Sequence, residues 1–144
     1  MTRLTRRGAL GLGAAGFSAA ACTTLGGEAD YGGNAAFSHG VASGDPTQTA
    51  VILWTRVTPE AAGPVPVKWN VARDAAMKDV VKTGVFITGS ERDYTVKIDV
   101  DGLEAGQVYY YWFMAGKASS PGGVTRTLPA TGMADYRMAV VSCS

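Results

Sequence analysis

A chain of 144 residues has room for one ordinary domain, or for a leader followed by one domain of about 100 residues. Hydrophobic residues make up 47% of it, a globular proportion that excludes a disordered chain. The net charge of +1 is unevenly spread: Arg3, Arg6 and Arg7 are the only charged side chains before Glu28, and without them acids outnumber bases, so nucleic acid is not an expected partner.

Met1 to Arg7 is basic and free of acids, Gly8 to Ala21 is apolar, and Ala19-Ala20-Ala21 offers the small residues a signal peptidase requires. Residues 1–21 therefore read as a signal peptide. The apolar run is shorter than the roughly 20 residues needed to span a bilayer. Thr5-Arg6-Arg7-Gly8-Ala9-Leu10 resembles a twin-arginine signal centred on Arg6 and Arg7, which makes the Tat export machinery an expected partner. Ala9 stands where that signal favours Phe; an ordinary secretory signal with two adjacent arginines is the alternative. Either signal implies an exported protein, whether periplasmic, secreted or held at the cell envelope.

Cys22 follows the three alanines, so Ala19-Ala20-Ala21-Cys22 forms a degenerate lipobox, with Ala19 in the place usually held by Leu. A lipid on Cys22 would anchor the chain to a membrane; otherwise Cys22 is the first residue after cleavage. A disulfide between Cys22 and Cys143 is not expected, because one lies in a leader and the other opens a further domain. Residues 22–36, rich in Gly, Ala and small polar side chains, read as a flexible linker.

From Phe37 the pattern is all-β. Phe37 to Pro46 reads as a loop tightening at Gly44-Asp45-Pro46, with Asp45 as turn-former. Ala50 to Val57 is a strand apolar on both faces and so expected to be buried on both. Val65 to Ala72 alternates, with Val67, Trp69 and Val71 inward and Lys68, Asn70 and Ala72 outward. Asp74 to Lys78 is a short turn or helical excursion, and Val80 to Thr88 one or two β-branched strands. Tyr94, Val96, Ile98 and Val100 alternate with polar neighbours, the clearest period of two in the chain. Val108 to Ala115 is a long aromatic strand and Gly123 to Leu128 the last. About seven short strands with regular turns describe an immunoglobulin- or fibronectin type III-like β-sandwich over residues 37–130. Leu103-Glu104-Ala105-Gly106-Gln107-Val108-Tyr109 has tyrosine-corner spacing, which would send the Tyr109 ring into the core and its hydroxyl to the upstream backbone.

Residues 131–144 read as a linker and one more strand. Tyr136 to Val141 is continuously apolar, as in a strand covered on both faces, and it ends at Ser142-Cys143-Ser144. This looks like the opening of a second domain that the sequence does not contain. No P-loop, zinc-ligand spacing or dinucleotide fingerprint occurs. His39, the only histidine, has neither a second histidine nor a nucleophile near it in sequence and reads as a loop residue. Trp54, Trp69, Tyr109, Tyr111 and Trp112 suit core packing better than a sugar-binding strip.

Four segments carry a family resemblance: His39-Gly40-Val41-Ala42-Ser43-Gly44-Asp45-Pro46, Val51-Ile52-Leu53-Trp54-Thr55-Arg56-Val57, Val124-Thr125-Arg126-Thr127-Leu128-Pro129 and Val140-Val141-Ser142-Cys143. In combination they resemble the alkaline phosphatase D (PhoD) family of secreted phosphodiesterases. The resemblance implies an N-terminal β-sandwich followed by a metallophosphoesterase domain that hydrolyses phosphate esters with an iron–calcium centre. It also implies that Cys143 is an iron ligand in a full-length enzyme. One thiolate does not make a metal site, so the 144 residues alone are expected to bind no cofactor and to be inactive, with the missing catalytic domain as their intramolecular partner. A self-standing fibronectin-like binding or adhesion module of the envelope is the alternative.

Overall fold

The fold was obtained as a computed structural model, which describes residues 31–132. Among these, strands dominate, and the order is β1 (Ala35–Ala36), β2 (Val41–Gly44), β3 (Val51–Arg56), β4 (Thr58–Pro59), β5 (Val65–Ala72), β6 (Val80–Thr88), β7 (Thr95–Val100), β8 (Val108–Ala115), β9 (Ala118–Ser119) and β10 (Gly123–Arg126). A 3-10 turn at Ser90–Arg92 joins β6 to β7. Antiparallel pairing builds a small sheet in the order β2-β3-β7 and a larger one in the order β10-β8-β5-β6, with β9 added to β8 and β1 paired with β4. The expected all-β sandwich is therefore what these residues form.

The sandwich closes because the inward face of each main strand is apolar. Val51 and Leu53 of β3 and Val96, Ile98 and Val100 of β7 are buried opposite Val65, Val67 and Val71 of β5 and Tyr109, Tyr111 and Phe113 of β8. Tyr111 and Phe113, two apart on one face of β8, meet edge to face with centroids 6.1 Å apart. Every buried side-chain nitrogen or oxygen among the described residues has a hydrogen-bond partner, as a specific core requires.

The tyrosine corner is formed. Tyr109 is buried, and its hydroxyl accepts from the Glu104 backbone N–H at 2.9 Å. The ring thus fills the core while its polar tip holds the turn that leads into β8. Tyr109→Phe keeps the ring and deletes this bond, so it is expected to cost about 1 kcal/mol of unfolding free energy by urea titration.

Four sequence expectations need correction. The strand expected to be buried on both faces alternates: Val51, Leu53 and Thr55 are buried, whereas Ile52, Trp54 and Arg56 are only half-covered because nothing among the described residues stacks a further layer on the small sheet. Asn70 and Ala72, expected outward, are buried; Asn70, flanked by Trp112 on β8 and Thr83 on β6, accepts from the Thr83 hydroxyl at 2.9 Å. The loop expected from Phe37 contains β2, an edge strand of small residues paired with β3. The flexible linker expected up to residue 36 does not extend that far: Ala35 and Ala36 pair with Pro59 and Thr58, Asn34 donates to Glu60 at 3.0 Å, and Tyr31 packs against the core.

Candidate functional site

Two constructions organise the surface, one around the first loop and one where the chain leaves the sandwich. At the first, Thr55 donates its hydroxyl to the Gly40 carbonyl at 2.8 Å and holds the turn after His39. Arg56, next along β3, forks onto Asp93: Nη2 lies 2.7 Å from Oδ1 and Nε 3.1 Å from Oδ2, while Nε also reaches the Asp93 carbonyl. Its remaining arm, Nη1, stands 3.2 Å from Nε2 of His39. A guanidinium only donates, so this bond requires Nε2 as the acceptor, with the imidazole proton on Nδ1. Asp93 can sit here because the 3-10 turn ends on it in the left-handed region, at φ 51°. The result is an exposed polar clamp tying the first loop, β3 and the β6–β7 connection together.

The Arg56 hydrogen bonds hold the Asp93 carboxyl below the ordinary carboxylate range, and the same contact raises the Arg56 guanidinium. A depressed carboxylate contributes stability above its unfolded value of about 4, and that contribution is lost as pH falls through the folded value. Acid titration below about pH 4 is therefore expected to open the Arg56–Asp93 fork. The Arg56 Nε–H NMR signal reports this, and Asp93→Asn should show the released signal already at neutral pH. An Arg56 Nε–H signal in the wild type that stays unchanged down to pH 2 would count against the clamp.

The second construction is a strap, Thr127 to Ala130, that carries the chain away from β10. Thr127 is buried; its hydroxyl donates to the Glu104 carbonyl at 2.7 Å and accepts from the Gln107 N–H at 3.1 Å. The Leu128 carbonyl accepts from Gly106 at 2.9 Å, and its N–H donates to Thr47 at 2.8 Å. Gln48 Nε2 donates to the Ala130 carbonyl at 3.1 Å. Glu104 to Gln107 belong to the turn before β8 and Thr47 and Gln48 to the turn before β3, so the strap is fastened to both sheets. The direction in which the polypeptide leaves is fixed by the fold.

Of the residues singled out in the sequence, Arg6, Arg7, Cys22 and Cys143 lie outside the described residues. His39 is at the surface in the clamp. Asp45 has a positive φ of 46° at the turn, but the side chain that accepts from the backbone following it is that of Thr47, whose hydroxyl accepts from the N–H groups of Thr49 and Ala50 at 3.2 and 2.9 Å. The aromatics divide: Tyr109 and Tyr111 are core, Trp69 packs at its border, and Trp54 and Trp112 face outward on opposite sheets. The strap and the Arg56–Asp93 fork were not anticipated; the partners are too far apart in sequence to leave a local signal.

Among the described residues no three His, Cys, Asp or Glu side chains are grouped to hold a metal. This part of the chain does not fit an iron–calcium centre, and no catalytic step is derived from it. What it does show is a self-contained core, a clamped first loop and an exit strap bonded to both sheets.

Known proteins share this sequence and fold. The family described as "PhoD-like phosphatase, N-terminal domain" matches residues 21–129. Alkaline phosphatase D of Bacillus subtilis (strain 168) is 43% identical over 103 residues, covering 67% of this chain and 18% of that protein. A solved structure, "Structure of PhoD", superposes with a TM-score of 0.64 at 42% identity, over 67% of this chain and 20% of that one. The chain thus spans about a fifth of the length of the relatives it matches.

Proposed function

The chain belongs to the PhoD-like phosphatase family, as its N-terminal domain, and from that premise we propose that it works as the exported accessory domain of a phosphate-ester hydrolase. In this role it braces a metallophosphoesterase domain and sets the approach to its site, without touching the reacting phosphate. The observation that carries the reading is the strap: a domain that only tethered its neighbour would have no need to fasten its exit to both sheets. Arg6 and Arg7 support export by the twin-arginine route, and Cys22 supports a lipid anchor. Iron and calcium, with Cys143 as an iron ligand, belong to the catalytic part on this reading.

The test is replacement. Residues 31–132 are put in place of the matching stretch of Bacillus subtilis alkaline phosphatase D. The chimera is expected to hydrolyse a chromogenic phosphodiester and to unfold in one transition, while the purified 144-residue chain shows no turnover. A chimera whose two parts unfold independently would favour the self-standing module instead.

A further inference from the structure

The sandwich has two outer faces, and they are not alike. Six large apolar side chains are exposed among the described residues: Val80, Val85, Ile87, Val108, Val124 and Leu128. All six belong to the larger sheet or its exit strap, and none to the small sheet. Ile87 and Val124, at 63% and 61% exposure, are the most open. The register joins them into a field. Val124 lies opposite Tyr110, and Met114 opposite Lys68, which in turn lies opposite Val85. Tyr110, Trp112 and Met114 alternate with the buried residues of β8, so they face outward, half-covered.

The strands of this face carry charge of one sign. Lys68 and Arg126 lie on them, and neither makes an ion pair among the described residues; the other polar members, exposed Thr83 and buried Asn70, are uncharged, and the acidic Glu91 stands only at the border beside Ile87. A second copy of the chain would bring like charges together and does not fit. The outer face of the small sheet has no exposed large apolar side chain, and its Arg56 is already held by Asp93.

The strap leaves from β10, whose outward residues Val124 and Arg126 are part of this field. Relatives carry about four-fifths of their length outside the stretch that matches here. Resting on the accessory-domain reading above, we propose that the outer face of the larger sheet, between β10 and β6, is the seat of the phosphoesterase domain, which meets it with an apolar surface bearing acidic side chains. An exposed apolar field of this kind marks an interaction surface, and a rigid exit beside it spares the contact the entropy of ordering a linker.

The chimera described above tests the seat. Val124→Glu with Ile87→Glu is expected to split its single unfolding transition in two and to shorten its half-life of thermal inactivation severalfold. The same pair of substitutions in the 144-residue chain should leave its melting temperature unchanged, because both side chains are exposed. Hydrogen exchange needs no variant: the edge amides of β6 and β10 should exchange at least tenfold more slowly in the unsubstituted chimera than in the 144-residue chain. A single transition that survives Val124→Glu with Ile87→Glu, but is split by Trp54→Glu with Lys97→Glu on the small sheet, would overturn the seat and leave the accessory reading standing. Two transitions in the unsubstituted chimera would overturn that reading itself.

Discussion

Phe113→Ala is expected to remove about 3–5 kcal/mol of unfolding free energy, the range for deleting a buried aromatic ring. Phe113 is wholly inaccessible and stands in the middle of β8, opposite Trp69 on β5 and edge to face with Tyr111. Its backbone bonds do not depend on the ring: the N–H donates to the Ser120 hydroxyl at 2.9 Å, and the carbonyl accepts from the Ser120 N–H at 2.9 Å. The substitution therefore leaves the β8–β9 corner intact and removes packing alone. A domain of this size is stable by roughly 5–15 kcal/mol, so the variant would lose a large part of its margin. Urea unfolding gives the measurement; the midpoint should fall while the slope stays the same. Val124→Ala, at an exposed position of the neighbouring strand, should change stability by no more than about 0.5 kcal/mol. A loss below 1 kcal/mol at Phe113 would show that the core does not close as described.

What could be read in the sequence follows from how strongly each strand alternates. The bounds of β5 and β8 were legible to the residue, and so was the alternation of β5 up to Lys68; its last outward positions, Asn70 and Ala72, are covered by neighbours that the strand's own sequence does not show. β2 left no such trace: Val41-Ala42-Ser43-Gly44 is a short edge strand of mostly small residues, and all but Val41 are exposed. β3 was readable as a strand but not for its faces. Ile52 and Trp54 are apolar yet lie on the half-covered side, so the run looked buried twice over. The clamp and the strap were beyond local reading. Arg56 meets His39 across 17 positions and Asp93 across 37, and Gln48 reaches Ala130 across 82. The tyrosine corner was legible because its two ends are five residues apart.

Gly123→Val is expected to destabilise the domain by roughly 1–3 kcal/mol, toward the upper end, because it overfills a site already taken by an aromatic ring. Gly123 on edge strand β10 lies directly opposite Tyr111, and a Cβ there would run into the Tyr111 ring. The other edge of the same sheet repeats the device: Gly84 on β6 lies opposite Trp69, and a Cβ there would fall 2.6 Å from Cζ2 of the indole. At both edges an aromatic from an inner strand covers a glycine that has no side chain of its own to pack. At β10 the consequence reaches further. Burial pushes the Tyr111 phenol up, and the nearby Ser43 side chain on β2 pulls it partly back, so the phenol reaches toward the other sheet. Displacing it strains β10 and disturbs the start of the exit strap together. The cause can be isolated by a double-mutant cycle. Tyr111→Ala removes the obstruction, so Gly123→Val added to it should cost about 0.5–3 kcal/mol less than it does in the wild type. Additive losses would mean that Gly123 is required for its backbone and not for the ring it accommodates.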